Sequence, residues 1–491
     1  MKIKYILCVI AIVAISKTSF AQYAQDAIRF STFQPGSSSR IKAIGNAGTA
    51  IGGDVSSVGA NPAGLGFFTR TEYSVTPEFN GTTNNATYFG QPSSATNNSV
   101  NFNNAAIVFY NRLNTPRGVD KSKGWLSVNF GLGYSRTNNF NETINYGAKN
   151  NNNSITNYYA NLANSSGIDQ GTLAGWAYDD NLIDLYGTPA TCGSNVVSPN
   201  VTQLNNITRS GGQSEINLSV GTNYSNKLYL GLGLGITDLN YHSINDFTES
   251  GTASVLEGTP PVAVDRNYTS RYTQEQNTNG SGFNAKLGLM YKIEENLRFG
   301  AVFTTPTFMS INDVYSESLA TRLNNINNGD APQDYPLTYS MRTPLKLAGG
   351  LSYFIGKYGF ITGDVEYVDY TNTRINNNSN YSNTYDNGII RNNYRSAINV
   401  HAGAEARLTN NFSLRGGYSM QQNPLKQGGK DINTISGGLG FRFNSGYYLD
   451  ATYNHVDGNQ TITPYTLATN SPSANVSRSN NNVFLTFGFR Y

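Results

Sequence analysis

Hydrophobic and polar residues alternate with a period of two over most of the chain, from residue 71 to the end. Residues 125–134, 228–236 and 398–408 show the pattern most clearly, and residues 71–79 and 358–367 repeat it. Strict alternation over nine or ten residues is typical of a strand that crosses a membrane, with apolar side chains toward lipid and polar side chains toward a lumen. The pattern therefore predicts membrane-spanning β-structure.

Counting such segments predicts roughly fourteen strands, an even number as bacterial single-chain barrels have. Their centres lie near Val75, Ile107, Phe130, Val220, Leu232, Leu287, Ala301, Leu347, Val365, Ala402, Leu414, Leu439, Ala451 and Phe487. The connections between them alternate between short turns, such as 225–227 and 356–357, and long stretches, such as 138–212, 244–268 and 311–336. Short turns on one side and long loops on the other favour an all-β, antiparallel, closed transmembrane barrel over residues 71–491.

The last predicted strand alternates up to the final residue, Tyr491. A terminal outward-facing aromatic residue resembles the insertion signal of outer-membrane barrels. We therefore expect the outer-membrane insertion machinery to be a partner, through the strand that ends at Tyr491, and we expect a monomer.

Residues 1–21 read as a secretory signal peptide. Lys2 and Lys4 precede an apolar run over residues 6–15, and small residues lie at the cleavage position. Removing this segment takes away three lysines and lowers the formal net charge from +3 to zero, which gives no electrostatic reason to expect nucleic acid as a partner. One cysteine, Cys192, would remain, so no internal disulfide is expected.

The stretch from residue 22 to residue 70 does not share the alternation. A short helix is predicted near residues 23–30, followed by a Pro-Gly break. Residues 45–68 are then almost entirely Gly, Ala, Ser and short aliphatic residues, with Asp54 as the single charge. Such a segment has too few bulky side chains for a core of its own but can pack closely inside another structure. We predict that residues 22–70 form an N-terminal hatch, or plug, inside the barrel.

The small-residue stretch also carries a motif. Gly45-Asn46-Ala47-Gly48-Thr49-Ala50, then Asp54, then Asn61-Pro62-Ala63-Gly64-Leu65 is similar to the run in the N-terminal hatch of the FadL/OmpP1/TodX family of outer-membrane transporters. The Asn-rich loops resemble those of its Bacteroidetes members. The resemblance implies a bacterial outer-membrane location and passive, hatch-gated uptake of long-chain fatty acids or similar lipids. It also implies a lateral exit into the membrane at a kinked third strand.

Two sets of site residues follow from this resemblance. Asp54, Asn61, Pro62 and Ala63 are the expected gate residues of the hatch, although Asn and Pro can equally fix a structural turn. Gly131 and Gly133 are the candidates for the kink at the lateral exit, because glycine weakens and bends strands. The alternative is that these glycines only make room for the plug.

Two further sets concern the ligand. Arg298, Lys346 and Arg415 are the best candidates to bind an acidic headgroup, because guanidinium and ammonium groups pair well with carboxylates. The alternative is that they pair with acids in the barrel wall. Leu173, Trp176, Leu182 and Ile183 form the least polar piece of the long loops and are candidates for a hydrophobic capture surface. They could instead be the core of the loop.

Other classes of function have little support. The three histidines lie on separate predicted strands and no HExxH or GxSxG motif occurs, so no enzyme, cofactor or metal site is expected. An aqueous porin would lack the hatch, and a surface adhesin would work through its loops alone. The expected partners are outer-membrane lipid and a hydrophobic small molecule.

Overall fold

The structure is a computed structural model that describes residues 21–34, 36–114, 120–197, 200–377 and 383–491. The predicted signal peptide lies outside the described residues except for Ala21. The strands are β1 (Glu72–Tyr88), β2 (Gln91–Phe109), β3 (Trp125–Asn139), β4 (Glu142–Asn150), β5 (Ile183–Tyr186), β6 (Thr191–Ser194), β7 (Val201–Tyr224), β8 (Leu228–Glu257), β9 (Val262–Lys292), β10 (Leu297–Thr304), β11 (Phe308–Leu323), β12 (Ile326–Gly329), β13 (Gln333–Arg342), β14 (Lys346–Ile355), β15 (Gly359–Asp369), β16 (Arg374–Asn376), β17 (Ser396–Arg407), β18 (Phe412–Gln421), β19 (Ile432–Arg442), β20 (Tyr447–Ile462) and β21 (Ala474–Arg490).

The helices are short. They are α1 (Ala21–Ser31), α2 (Ser39–Ala43), α3 (Ile155–Ser166), α4 (Leu173–Asp179) and α5 (Asn383–Asn393), with 3-10 turns η1 (Val55–Val58), η2 (Pro62–Phe67) and η3 (Tyr370–Asn372). Among the residues that the structure describes, no helix is long and apolar enough to cross a membrane. The helix predicted near residues 23–30 is α1.

Nineteen of these strands join in one antiparallel sheet, which closes because β1 pairs with β21, from Glu72 opposite Arg490 to Tyr88 opposite Ala474. Four barrel strands are built from consecutive pieces: β3 with β4, β10 with β11, β12 with β13 and β14, and β15 with β16. The wall of the described chain is thus a closed barrel of 14 strands, and the predicted fold class is confirmed.

The outer face of the barrel carries the apolar residues that the alternation predicts. On β8, for example, the exposed side chains of Leu230, Leu232, Leu234 and Ile236 point outward, whereas Tyr229 is 1% exposed. The exposed apolar side chains suit lipid rather than water. This wall therefore spans a membrane.

Several strands continue far beyond this apolar band. The region 244–268, predicted to be a loop, is almost wholly strand, because β8 runs to Glu257 and β9 begins at Val262. Residues 311–336 likewise lie mostly in β11 and β13. Above Ile236 the outward residues of β8 become polar, starting with Asp238, while Leu239 and Tyr241 are buried on the inner face. The alternation typical of a lipid-facing strand therefore stops although the strand does not end.

Two breaks in neighbouring strands share a cause. Pro306 separates β10 from β11, and Pro344 separates β13 from β14. Proline cannot donate a hydrogen bond to the strand ladder. The Thr307 N–H donates instead to the Thr343 hydroxyl oxygen over 2.8 Å, which keeps the wall continuous between the two breaks.

The connection between the third and fourth barrel strands covers one side of the barrel mouth. Its α3, α4 and β5–β6 hairpin pack on the tall parts of β8, β9 and β11 through an apolar cluster that includes Tyr159, Trp176 and Leu319. We call residues 151–197 the cap. Opposite it, α5 packs near α1, where Ile390 contacts the cluster that contains Ala24 and Phe30.

Candidate functional site

The chain between α1 and β1 lies against the inward-facing side chains of the wall, and we call residues 36–70 the inner segment. Side-chain caps give it its shape. The Ser38 hydroxyl donates to Asp54 Oδ1 over 2.9 Å, and the same carboxylate accepts from the Ser56 N–H at the start of η1. Asp54 thereby links α2 to η1. Its observed contacts are those of a structural cap.

Asn61 caps the next turn in the same way. Its Oδ1 accepts from the Ala63 N–H over 3.2 Å, and Pro62 occupies the first position of η2, where the missing N–H costs nothing. The Asn61 amide also donates to the Thr49 carbonyl over 2.8 Å. The four predicted gate residues therefore form two turns of the inner segment, and their role in gating stays a prediction.

Glycines in the wall let this segment approach the barrel backbone. A Cβ atom on Gly231 would lie 2.2 Å from the Ala63 nitrogen, and one on Gly300 would lie 2.2 Å from the Thr49 carbonyl oxygen. The same holds at Gly131, where a Cβ would lie 2.6 Å from Val58. Side chains at these positions would collide with the segment.

Gly131 and Gly133 are also the residues predicted to kink the third strand at the lateral exit. The β3 register is regular at Gly131 and Gly133, which pair with Val108 and Ala106 of β2. The register gives no sign of a kink at these two positions, and Gly131 makes room for the inner segment. A role of Gly131 and Gly133 in lateral exit stays a prediction. The register of β3 shifts instead at Arg136, and the strand is interrupted between Asn139 and Glu142.

A gap in the wall accompanies that irregularity. Pairing between β2 and β3 stops at the Asn104–Ser135 rung, so the part of β2 before Asn104 pairs in the sheet only with β1. Beside the gap on the outer face, Phe102 is 47% exposed and its ring centroid lies 6.0 Å from that of Tyr134. The surroundings of the gap are thus apolar on the outside.

The chain between α1 and α2 fills this gap from the inside. The Gln34 N–H donates to the Thr137 carbonyl of β3 over 2.8 Å, and the Asn103 amide of β2 donates to the Ser37 carbonyl. Gly36 lies between them, where an added Cβ would be 2.4 Å from the Asn103 carbonyl oxygen. The N-terminal chain therefore connects β2 and β3 where these two strands do not pair with each other.

The three predicted headgroup residues have different surroundings. Arg415 is buried and pairs with Glu405 over 2.8 Å and with Asp450 over 2.5 Å. Arg298 donates to the Ile51 carbonyl over 2.6 Å. For Arg415 the alternative interpretation, pairing within the wall, is what the structure has.

Lys346 is the exception. Its Nζ lies 3.8 Å from the ring centroid of Phe33, and among the described residues no hydrogen bond or ion pair is seen for it. It lines a cavity of about 130 Å³ between the inner segment and the wall, together with Thr49 and Asn61 and with the carboxylates of Asp364 and Glu366. Phe33 precedes Gln34, which lies at the gap. A cation, an aromatic ring and the bridged gap therefore adjoin one another.

The predicted capture residues are not on a surface. Leu173, Trp176, Leu182 and Ile183 are between 0% and 5% exposed and form the core of the cap, the alternative that the sequence left open. Exposed apolar residues of the cap lie next to them, at Leu185 with 45% and Tyr186 with 48% exposure. The sequence pattern did not predict the β5–β6 hairpin, and without it the buried apolar residues of the cap cannot be distinguished from the exposed ones.

Residue pairs that the sequence did not single out also tie the inner segment to the wall. Lys286 Nζ contacts Glu215 and donates to the Gly59 carbonyl over 2.8 Å. Arg40 Nε donates to Glu405 over 2.9 Å. The alternation along the strands places Lys286 and Glu405 on the inner face. It does not show which part of the inner segment they contact, because that depends on how the barrel closes.

Known protein structures share the fold of this chain although their sequences differ. No family model and no curated protein matches the chain. A FadL homologue of Pseudomonas aeruginosa superposes with a TM-score of 0.54 at 12% identity, over 94% of this chain and 99% of that one. The P. putida toluene transporter TodX superposes with a TM-score of 0.50 at 12% identity, over 93% and 99%.

The chain has the FadL-type fold. The monoaromatic hydrocarbon channel CymD shares it, with a TM-score of 0.50 at 12% identity over 93% of this chain and 98% of that one. The resemblance seen in the hatch motif is thus confirmed at the level of the fold. A closed FadL-type barrel with an even number of strands and a lipid-facing apolar band is the architecture of a bacterial outer-membrane protein.

Proposed function

We propose that this FadL-type barrel transports hydrophobic small molecules passively across the outer membrane, and that it has no enzymatic activity. The similar structures support the proposal, since they are a FadL homologue, a toluene transporter and a hydrocarbon channel. The inner segment supports it too, because a plugged lumen suits selective passage better than free diffusion of water and ions.

The observation that carries the proposal is the gap between β2 and β3, bridged by Gln34 and Ser37 from the inside. A molecule in the lumen would leave sideways through this gap once Gln34 and Ser37 move away from the two strands, and it would enter the lipid directly instead of the periplasm. Residues 22–70 would then act as the hatch. Gln34 and Ser37 would be part of the gate because their hydrogen bonds to the two strands must break.

We propose an acidic amphiphile, such as a long-chain fatty acid, as the substrate. Lys346 supports this choice because it faces the cavity without an ion pair among the described residues. A carboxylate beside the ammonium would gain a charge-assisted hydrogen bond, while its chain would contact Phe33 and the apolar exit.

The test compares Lys346→Met with Lys357→Met in cells that depend on this protein for uptake. Lys357 lies exposed in the turn before β15 and is the matched control. Losing a charge-assisted hydrogen bond of about 1.5 kcal/mol should raise the half-saturation concentration for labelled palmitate roughly tenfold in Lys346→Met. Toluene uptake should not change in either variant, because toluene has no charge.

Equal palmitate uptake by both variants would remove Lys346 from the binding site. Steady ion conductance of the intact protein in planar bilayers, with no uptake of palmitate or toluene, would identify an aqueous porin instead. Neither uptake nor conductance would leave the surface adhesin as the better interpretation.

A further inference from the structure

A concave groove of about 850 Å³ lies on the outer, lipid-facing surface of the barrel, where a barrel wall is normally convex. It begins beside Tyr134 and Ala105, which form the rung directly below the last β2–β3 rung. The gap and the groove are therefore continuous on the outer face.

The strand register shows the course of the groove. Its outward-facing residues follow one row of paired positions across six strands. That row is Ile216, Tyr134, Ala105, Val75, Phe487 and Leu449. Six strands at the usual spacing make the row about 24 Å long, and the part from the gap to Leu449, across β2, β1, β21 and β20, is about 14 Å long. Because barrel strands tilt by roughly 40°, a row perpendicular to them runs obliquely across the membrane rather than around it.

The groove ends in an aromatic cluster. The Tyr73 and Phe489 ring centroids are 5.4 Å apart, and those of Tyr447 and Phe489 are 4.4 Å apart. These residues lie at the end of the barrel that carries the short turns and the last residues of β21. Aromatic side chains of this kind mark the boundary between lipid and water in outer-membrane barrels. The groove thus leads from the gap to one membrane interface.

We propose that this groove is a binding track for the extended acyl chain of a single-chain amphiphile that leaves the barrel through the gap. The inference rests on the proposed function and adds the part of the path outside the wall. An apolar track that runs about 14 Å along the wall from the gap takes up a large part of an extended chain, whereas a compact single ring would fill only a fraction of it. The aromatic cluster receives the far end of the chain.

The experiment uses the intact protein in phospholipid vesicles and a palmitate analogue with a photoactivatable group at the chain end. In the wild type, cross-links mapped by mass spectrometry should concentrate on the strands at the far end of the groove, β1, β20 and β21. Ala105→Trp would block the track just below the gap. Ala402→Trp places the same side chain on the outer face of β17, on another part of the wall.

We expect Ala105→Trp to lower the rate of palmitate transfer into the vesicle membrane at least fivefold and to remove the cross-links on β20 and β21. Ala402→Trp should behave as the wild type. Cross-links spread evenly around the barrel, or equal transfer by both variants, would overturn the track while the proposed function stands. No palmitate transfer by the wild type would overturn the proposed function itself.

Discussion

Single glycines decide how closely the inner segment can approach the wall. Gly231 faces the backbone of Pro62 and Ala63, whereas nothing lies within 4 Å of the position where a Cβ of Gly437 would be. Gly231 faces inward between the outward side chains of Leu230 and Leu232, whereas Gly437 lies on the outer face. Gly437 therefore serves as a control in a barrel strand away from the inner segment. The alternation in the sequence separates the two faces but does not show what each glycine contacts.

We expect Gly231→Ala to displace η2 from the wall, because its Cβ would lie 2.2 Å from backbone atoms that cannot rotate away. Overpacking of this kind costs about 1–3 kcal/mol. Planar-bilayer recordings should show more frequent open events than in the wild type. Gly437→Ala should record as the wild type does, and equal traces for both variants would contradict the close packing of η2.

Asp386 in α5 provides a pH-dependent test outside the membrane. Burial, with a smaller contribution from the charge of Asp26, raises the pKa of Asp386 from 3.8 to about 7. Between these two values the folded state binds more protons than the unfolded state, so the stability of this region falls as the pH rises from about 4 to about 7.

Hydrogen exchange should accordingly be faster in residues 383–393 at pH 8 than at pH 5, after correction for the intrinsic rate. Asp386→Asn cannot ionise, so its corrected exchange should be the same at both values. A wild type whose corrected exchange does not change with pH would show that the Asp386 carboxyl is not desolvated.

The headgroup candidates show how far residue-scale prediction extends. All three side chains lie on the lumen side of the barrel wall. Parity does not reveal partners, however, because Glu405 and Asp450 meet Arg415 only through the register of β17 to β20. Lys346 differs from Arg415 in its neighbours and not in its sequence pattern.

At the scale of elements, the membrane-spanning parts of all fourteen strands could be predicted because lipid demands apolar side chains on every second residue. The extensions of β8, β9 and β11 could not, since outside the lipid the outer face is polar and the apolar residues, such as Leu239 and Leu319, lie on the inner face. The interruption of β3 also escaped prediction. It lies between Asn139 and Glu142, beside Asn138, whose side-chain amide donates to the Arg29 and Thr32 carbonyls of the N-terminal chain.

The cap is an element whose attachment depends on one carboxylate. Glu249 of β8 is 0% exposed and accepts hydrogen bonds from the Ser154 hydroxyl and the Ile155 N–H at the start of α3. It also accepts from Gln203 Nε2 over 2.6 Å and from the Tyr268 hydroxyl over 2.7 Å. Four donors therefore converge on this side chain.

Glu249→Gln should loosen the cap, because the new amide group brings a donor into a site that is already filled with donors. Leaving one such group unsatisfied costs about 1–3 kcal/mol. We expect faster hydrogen exchange in residues 155–166 and little change in the strands. Glu257→Gln is the control, since Glu257 is exposed at the tip of the same strand and pairs with Arg266. Equal exchange in both variants would show that the apolar core holds the cap without Glu249.

At the scale of the whole molecule, the barrel and the inner segment depend on each other to different degrees for their stabilising contacts. The wall pairs its own strands and most of its own charges. Arg415 keeps Glu405 and Asp450 without the segment, and Lys286 keeps Glu215. The segment, by contrast, has small side chains and takes its packing from the wall.

A chain that lacks residues 22–68 should therefore still insert and give a β-sheet circular dichroism spectrum. Its melting temperature should fall, because Arg40 and the apolar contacts of Val55, Val58 and Leu65 with the wall are lost. Its conductance should rise from near zero to a steady open level, since the cavity beside Lys346 would become continuous with water at both ends. A deleted chain that inserts but stays closed would show that the cap, not the inner segment, seals the lumen. A deleted chain that cannot fold would show instead that the wall needs the segment as its core, contrary to the self-sufficient pairing of its charges.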